Sequence, residues 1–555
     1  MEISELVRSL LLKRGIQDDS DISAFLDPDY DLHTHDPFLL NGMDSTVGRI
    51  FAAIERNERI AVYADFDCDG IPGAALLSDL FRKIGYENFE TYLPHRDREG
   101  YGFHIEAIDT LSGSGVKLII TVDVGTTAIE PIAHAKKLGI DVIVTDHHEI
   151  TSELPECVAV LNPKREPYPF GGLCGAAVAY KLAQAILREG KKRELPAFAE
   201  IPDGWEKWLL DLVAIATVAD MVPLTGENRA LAFWGLQVLR KSPRPGISAL
   251  CNKLRMRKAE LTEDDIGFSI APRINAASRM DDPDLALKLL TTHDAQEAEQ
   301  LAAQLESLNS KRKGAAGAIV REAKKRARDR FRKEENVVVL GNPEWKPALL
   351  GLAANSVVEE RGGVVCLWGR DALGRLKGSC RSDGSYSVVE LFSNAKDSFE
   401  EFGGHARSGG FSVSHERVHE LQEMLASASQ KLVAAPELPE GPAYDARITL
   451  AEVSRALFAD ISRIAPFGVE NPKPVFLVQR ATVTAIKKFG KENNHVELML
   501  DGDCFAPVRA YDFFRRPEQF SYLPQTGAQA NVLATLERDT FRGGLALRLV
   551  DVLPA

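Results

Sequence analysis

Three apolar, strand-like runs end in acids. The run IAVYADFDCDG reaches Asp65, Asp67, Asp69 and Gly70, LIITVDVG reaches Asp123 and Gly125, and VIVTDHHEI reaches Asp146, His147 and His148. A fourth acid, Asp220, closes the helix-like apolar run LVAIATVAD. If these ends converge, they form a cage of carboxylates and imidazoles that divalent cations neutralise best. Hard oxygen ligands with one imidazole suit Mg²⁺ or Mn²⁺. Two such ions, held about 3.5–4 Å apart by a bridging carboxylate, can activate a water and stabilise a leaving oxygen in phosphoryl chemistry. Asp67, Asp69, Asp123 and Asp220 supply the four carboxylates this requires.

Competing chemistries fit poorly. Asp65-x-Asp67-x-Asp69-Gly70 opens like an EF-hand loop, but the twelfth position, which needs a bidentate Glu, is Leu76. Helix capping accounts for one Asp per motif, not three within five residues. There is no GxxxxGK[ST] phosphate loop, no GxGxxG after a strand and no GxSxG elbow.

The elements that must carry these residues follow an α/β pattern. Strand-like runs at 60–65, 117–123, 141–145 and 157–161 alternate with helical stretches at 72–84, 126–138 and 173–188. That alternation predicts a parallel sheet with crossover helices, in which ligands lie beyond the carboxyl ends of the strands. The expected division is an N-terminal helical cap over 1–58, the metal-bearing domain over 59–293 and a long connecting helix over 294–335. A second α/β unit (336–433), a Pro- and Ala-rich linker (434–443) and a small C-terminal barrel of OB type (444–555) follow. The end of the long helix is strongly basic: Lys311, Arg312, Lys313, Arg321, Lys324, Lys325, Arg326, Arg328, Arg330, Arg332 and Lys333 face only Glu322 and Asp329. Such a run is either a solvated connector or the wall of a groove for a polyanion.

The chain has 555 residues and a net charge of −13, which excludes a protein wrapped uniformly in nucleic acid but not a local basic channel. Seven cysteines are scattered without a CxxC pair, which argues against a disulfide framework or a zinc ribbon. No long apolar segment appears at the N-terminus or later, so a cytoplasmic protein without membrane association is expected.

The ordered motifs AVYADFDCDGIPGAALL, PHRDREGYGF, TVDVGTT, VTDHH, LNPKREPYPF, VAIATVADMVPLTGENRAL, RINAASRM, GSCRS, FGGHARSGGF and IAPFGVENPKPVF resemble those of the DHH phosphoesterase superfamily. Within it, the chain is similar to the RecJ family of single-stranded-DNA-specific 5′→3′ exonucleases, which act in DNA repair and recombination. The resemblance implies DHH, DHHA1 and OB domains and a two-metal centre (Mn²⁺ or Mg²⁺) held by Asp67, Asp69, Asp123, His147 and Asp220, with Asp123 as the bridge. It further implies His148 beside the scissile phosphate, Asp146 as an orienting acid, and Asp65 in a less direct role. Arg96, Arg279 and Asn275 would bind the strand end, as would Ser379 and Arg381 in GSCRS and Gly403, Gly404 and His405 in GGH. Single-stranded DNA is the implied substrate. A single-stranded-DNA-binding protein and a RecQ-like helicase are the implied partners of a monomer.

The chain departs from that pattern in two places. Some superfamily members carry a ligating His at the position of Tyr63, and a WHPGVIG-like segment is here Trp345-Lys346-Pro347-Ala348-Leu349-Leu350-Gly351. Other readings left open are a phosphodiesterase acting on short oligoribonucleotides or cyclic dinucleotides, and a catalytically silent DNA-binding scaffold. Phe402, Phe476 and Phe489 are candidates for base stacking, though core packing is the plainer role for each.

Overall fold

The structure is a computed structural model that describes residues 3–150, 153–332, 334–432, 444–490, 493–502, 506–539 and 542–555. The linker expected at 434–443, Lys333 and Cys504 lie outside the described residues. The chain forms two compact units, a larger one of Asp36–Asp220 with Gly235–Leu438 and a smaller one of Met1–His35, Met221–Trp234 and Pro439–Ala555.

The first sheet of the larger unit contains β1 (Arg59–Ala64), β2 (Phe89–Tyr92), β3 (Val116–Val122), β4 (Asp141–Thr145) and β5 (Ala159–Leu161). All are parallel and ordered β2-β1-β3-β4-β5. β1, β3, β4 and β5 coincide with the expected runs. They are buried on both faces, which is why they read as continuous apolar stretches rather than alternating ones. β2 gave no such signal because its four residues, FETY, are all half-buried at the sheet edge. The chain turns to one side of β1 to make β2, then crosses to the other side for β3, β4 and β5. The switch point therefore lies between β1 and β3, where an open parallel sheet leaves a crevice at its carboxyl edge.

The long helix runs Ala295–Arg330, with the Asp294 side chain accepting from the Glu297 amide at its start. It is not simply solvated. Leu301, Leu305, Leu308 and Ile319 are buried along one stripe, and Ile319, Ala323 and Ala327 share a core with Leu349, Leu350 and Ala353 of the Pro347–Arg361 helix. Part of its basic charge is spent locally: Lys324 pairs with Glu360 at 3.0 Å, and Arg326 donates to the Gly341 carbonyl at 2.9 Å.

The second sheet, also in the larger unit, comprises β6 (Val337–Gly341), β7 (Val364–Arg370), β8 (Leu376–Ser382), β9 (Glu401–Gly404) and β10 (Ser408–Val413), in the order β6-β7-β8-β10-β9. Only β6 and β7 run parallel.

In the smaller unit, β11 (Ala446–Ile448) lies parallel to β12 (Phe476–Phe489). β12, β13 (His495–Asp501), β14 (Val508–Asp512), β16 (Leu545–Pro554) and β15 (Gln529–Arg538) then close on themselves through the β12–β15 pairing. This is the expected five-stranded barrel. Phe476 belongs to its core, with Val483, Leu498, Val532 and Leu547, whereas Phe489 is half-buried and packs edge-on against His495.

The stretch 1–58 is shared between the units. The Glu5–Lys13 helix buries Val7, Leu10 and Leu11 in a cluster that includes Ile464. Arg229 reinforces that cluster by donating to the carbonyls of Phe25, Ile464 and Ala465. Among the described residues, no helix is long and apolar enough to cross a membrane.

Ile120, fully buried in central β3, tests the packing beneath the strand ends. Ile120→Ala should lower the stability of the larger unit by about 2–5 kcal/mol, read as an earlier thermal or urea transition.

Candidate metal centre

Backbone register places the acids. The Asp65 amide donates to the Val122 carbonyl (3.1 Å), that of Asp123 to Thr145 (2.9 Å) and that of Asp146 to Leu161 (3.0 Å). Each acid thus hangs from the neighbouring strand one step beyond the ladder. Asp123 takes a left-handed φ of 61°, a conformation costing a non-glycine residue roughly 1–2 kcal/mol that turns its carboxylate inward over the switch point. Gly175 makes room for it: a Cβ there would lie 2.6 Å from that of Asp123.

The side chains converge. His147 Nε2 lies 3.2 Å from Asp123 Oδ1 and 3.6 Å from a carboxylate oxygen of both Asp69 and Asp220. Among the described residues, three groups have ligand atoms within 4.8 Å of one another: Asp69, His147 and Asp220; Asp123, His147 and His148; and Asp65, Asp67 and Asp123. Asp123 appears in two of them and His147 in two. Asp65, read from sequence as less directly involved, shares one of these groups with Asp67 and Asp123.

The electrostatics are those of a cation site. Burial, followed by mutual repulsion, raises Asp65, Asp69, Asp123 and Asp220 above the ordinary carboxylate range. The buried oxygens Asp65 Oδ1 and Asp123 Oδ1 accept no hydrogen bond. Burial also pushes His147 down to about 4, leaving its imidazole neutral and able to ligate. Orphaned acceptors, crowded carboxylates and a neutral imidazole fit divalent cations.

The surrounding residues fix this set. Asp69 accepts from the amides of Gly175 (2.6 Å) and Ala176 (2.7 Å), at the start of the Gly175–Lys192 helix. Asp67 accepts from the Asp69 amide at 2.8 Å. Asp146 belongs to none of these groups and holds their histidines from behind: it accepts from the Thr126 amide (2.9 Å), the His147 amide (2.8 Å) and His148 Nδ1 (2.7 Å). Burial works against its charge, but the His148 bond and the Thr126 amide hold Asp146 well below the carboxylate range. Burial likewise opposes the His148 imidazolium, and the bond and charge of Asp146 outweigh it, so His148 titrates above an ordinary histidine.

Sequence reasoning did not single out Asn162, which bonds the His148 carbonyl at 2.9 Å, or Tyr101, whose hydroxyl lies 3.3 Å from His148 Nδ1. A signal for Asn162 existed, since it ends the apolar run AVL as the acids end theirs.

A cleft of about 420 Å³ opens beside the cluster, lined by Phe66, Arg96 and Tyr101 from the first sheet's loops and by Lys377, Phe402 and Gly403 from the second sheet. The Arg96 guanidinium stacks on Phe66 at 4.0 Å, and its Nε has no hydrogen-bond partner. Arg279 donates to the Ala348 carbonyl at 2.6 Å. Burial, followed by Arg96, Arg312 and Arg381, pushes Arg279 down to about 9. Arg381 lies against Gly351, where a Cβ would be 2.6 Å from its Nη2. Three arginines from distant motifs therefore share one low-dielectric region, which an anion would relieve.

The remaining expected residues lie in the following places. The Asn275 side chain accepts from the Cys68 amide at 3.0 Å and so braces the loop that carries Asp67 and Asp69. Ser379 and Arg381 lie on β8, opposite Gly410 and Ser408 of β10. Gly403 and Gly404 are on β9, and the His405 amide bonds the Ser408 carbonyl. In the departing segment, Lys346 pairs with Asp97 at 2.9 Å, and Ala348 still offers its carbonyl to Arg279.

The DHH family N-terminal domain matches residues 59–217, the DHHA1 domain 334–433 and the RecJ OB domain 444–550. A single-stranded-DNA-specific exonuclease RecJ from Salmonella typhimurium is 34% identical over 93% of this chain and 91% of its own length. The chain belongs to the RecJ family. A RecJ from Bacillus subtilis is also 34% identical, and the chain spans 62% of its length. The RecJ of Thermus thermophilus, solved in complex with Mn²⁺, superposes with a TM-score of 0.81 at 26% identity, covering 100% of this chain and 76% of that one. Another RecJ structure, bound to manganese, is 30% identical, with a TM-score of 0.61 over 71% of this chain and 95% of that one.

Asp123→Asn removes one of the repelling carboxylates. The metal-stripped variant should melt about 2 °C or more above the metal-stripped parent, and the upward shift caused by Mn²⁺ should disappear, both read by scanning fluorimetry.

Proposed function

We propose that this chain hydrolyses single-stranded DNA from its 5′ end, releasing 5′-mononucleotides in a metal-dependent reaction that serves DNA repair and recombination. The observation that carries this reading is the carboxylate and His147 cluster next to a cleft lined by Arg96, with Arg279 and Arg381 half-buried nearby. Membership of the RecJ family, whose named relatives are single-stranded-DNA-specific exonucleases, supports it.

In this reading Asp67, Asp69, Asp123, His147 and Asp220 would hold two divalent cations, Mn²⁺ or Mg²⁺, with Asp123, which belongs to two of the three groups, as the carboxylate they would share. Two such cations, when bound, make a water easier to ionise and offset the charge that develops on a leaving oxygen. The protein supplies the positioning. Arg96, Arg279 and Arg381, with Ser379, grip the 5′-terminal phosphate, because a guanidinium fork binds two phosphate oxygens at once. The backbone around Gly403, Gly404 and His405 borders the strand, and Asn275 keeps the Asp67 loop in place. His148, oriented by its bond to Asp146, bonds a non-bridging oxygen of the scissile phosphate. Water then attacks that phosphorus in line, the bond to the 3′-oxygen of the first nucleotide breaks, and the shortened strand carries a new 5′-phosphate.

The proposed division of labour assigns metal chemistry to 59–293 and strand holding to 336–433, joined by the helix within 294–335. The barrel of 444–555 adds backbone contacts and base stacking, worth about 1–3 kcal/mol per base. A monomer in the cytoplasm, working with a single-stranded-DNA-binding protein and a RecQ-like helicase, completes the proposal.

With 5′- and 3′-labelled strands in Mn²⁺, the 5′ label should appear at once as mononucleotide while the 3′ label stays in long products, and blunt duplex should resist. Release of the 3′ label first, or equal attack on duplex, would sink the reading. Arg279→Ala should cut the preference for a 5′-phosphate over a 5′-hydroxyl end by about tenfold in kcat/KM, measured on matched strands.

A further inference from the structure

We propose that Lys164 is a substrate-binding residue that grips the phosphate on the 3′ side of the scissile one. The inference rests on the exonuclease reading above and extends it to a residue outside the metal cluster and the arginines.

The loop that carries Lys164 is fastened to the centre at both ends. At its start, Asn162 donates to the His148 carbonyl at 2.9 Å and accepts from the Lys164 amide at 3.0 Å. One side chain therefore ties the backbone of Lys164 to the Asp146-His147-His148 turn. At its end, the Gly175 and Ala176 amides hold Asp69. Residue 164 cannot drift from the cluster without breaking one of these bonds.

The side chain, in contrast, can move. Lys164 Nζ donates to Glu149 Oε1 at 2.6 Å, with the lysine 32% and the glutamate 63% exposed. An ion pair this open is weak, and the flexible lysine stem can swing its ammonium to a stronger anion. A phosphate diester oxygen is such an anion, and Glu149, once released, is solvated.

The position relative to the rest of the site sets the direction. The Arg96 guanidinium lies over Phe66, between Asp65 and Asp67 at the end of β1, whereas Lys164 is tied through Asn162 to His148 at the end of β4. The cluster thus has cations at two different strand ends, with β3 between them. A strand whose terminal phosphate lies on the arginines and whose second phosphate lies at the cluster brings its third towards Lys164. A point-charge ammonium suits that contact, which must be blind to sequence.

The test compares a 5′-phosphorylated dinucleotide, which carries only the terminal and scissile phosphates, with the trinucleotide, which adds the next one. The ratio of their kcat/KM values should fall about tenfold in Lys164→Ala and be largely retained in Lys164→Arg. Equal losses on both substrates, leaving the ratio at the parent value, would show a merely structural residue and overturn the proposal. If the parent protein cuts neither substrate, the 5′-labelled long strand separates the two failures: no release there sinks the exonuclease reading, whereas release there with none from the trinucleotide overturns this inference alone.

Discussion

Repulsion among buried carboxylates governs this structure. Asp65, Asp69 and Asp123 are buried and Asp67 and Asp220 half-buried at one place, and the energy of that arrangement is unfavourable until positive charge arrives. The surrounding scaffold opposes the repulsion without removing it. Helix amides brace Asp69, a left-handed turn aims Asp123, and Asp146 spends its own charge on His148 rather than on the cluster. Stability given up here is recovered in the doubly covered parallel sheet beneath, where β1 and β3 are almost wholly buried.

The arginine region is the mirror image of the cluster. Arg96, Arg279 and Arg381 come from three separate motifs and meet with too few acceptors. An acid-rich site beside a base-rich one, each short of partners, describes the ligand by complement: polyanionic at one point and able to share cations at the next. A backbone with phosphates at regular intervals satisfies both, and this is why the two halves are better understood together than as separate sites.

Much of this was legible in the sequence because the signals were local. A buried strand that stops at an acid is visible in a few residues, and so β1, β3, β4 and the terminal acids were expected where they are found. β2 and the helix Ile105–Gly113 were not, since an edge strand of half-exposed residues carries no periodic signal. Contacts between distant segments were equally hidden. Nothing in RINAASRM says that Asn275 bonds the Cys68 amide, or that Arg279 reaches a carbonyl in the segment after Trp345. The split of residues 1–58 between two units likewise depends on Ile464, far along the chain.

The amides of Asp65, Asp123 and Asp146 are each bonded to the strand next door. The relative placement of these acids is therefore a property of sheet register rather than of loop conformation. The frame of the metal centre is absent until β1, β3, β4 and β5 are aligned, and it is completed by Asp69, held by the Gly175 and Ala176 amides, and by Asp220 at the end of the Leu210–Ala219 helix. Changes of length between the strands can alter what surrounds the centre while leaving its internal distances untouched, so the chemistry and its periphery are free to vary separately.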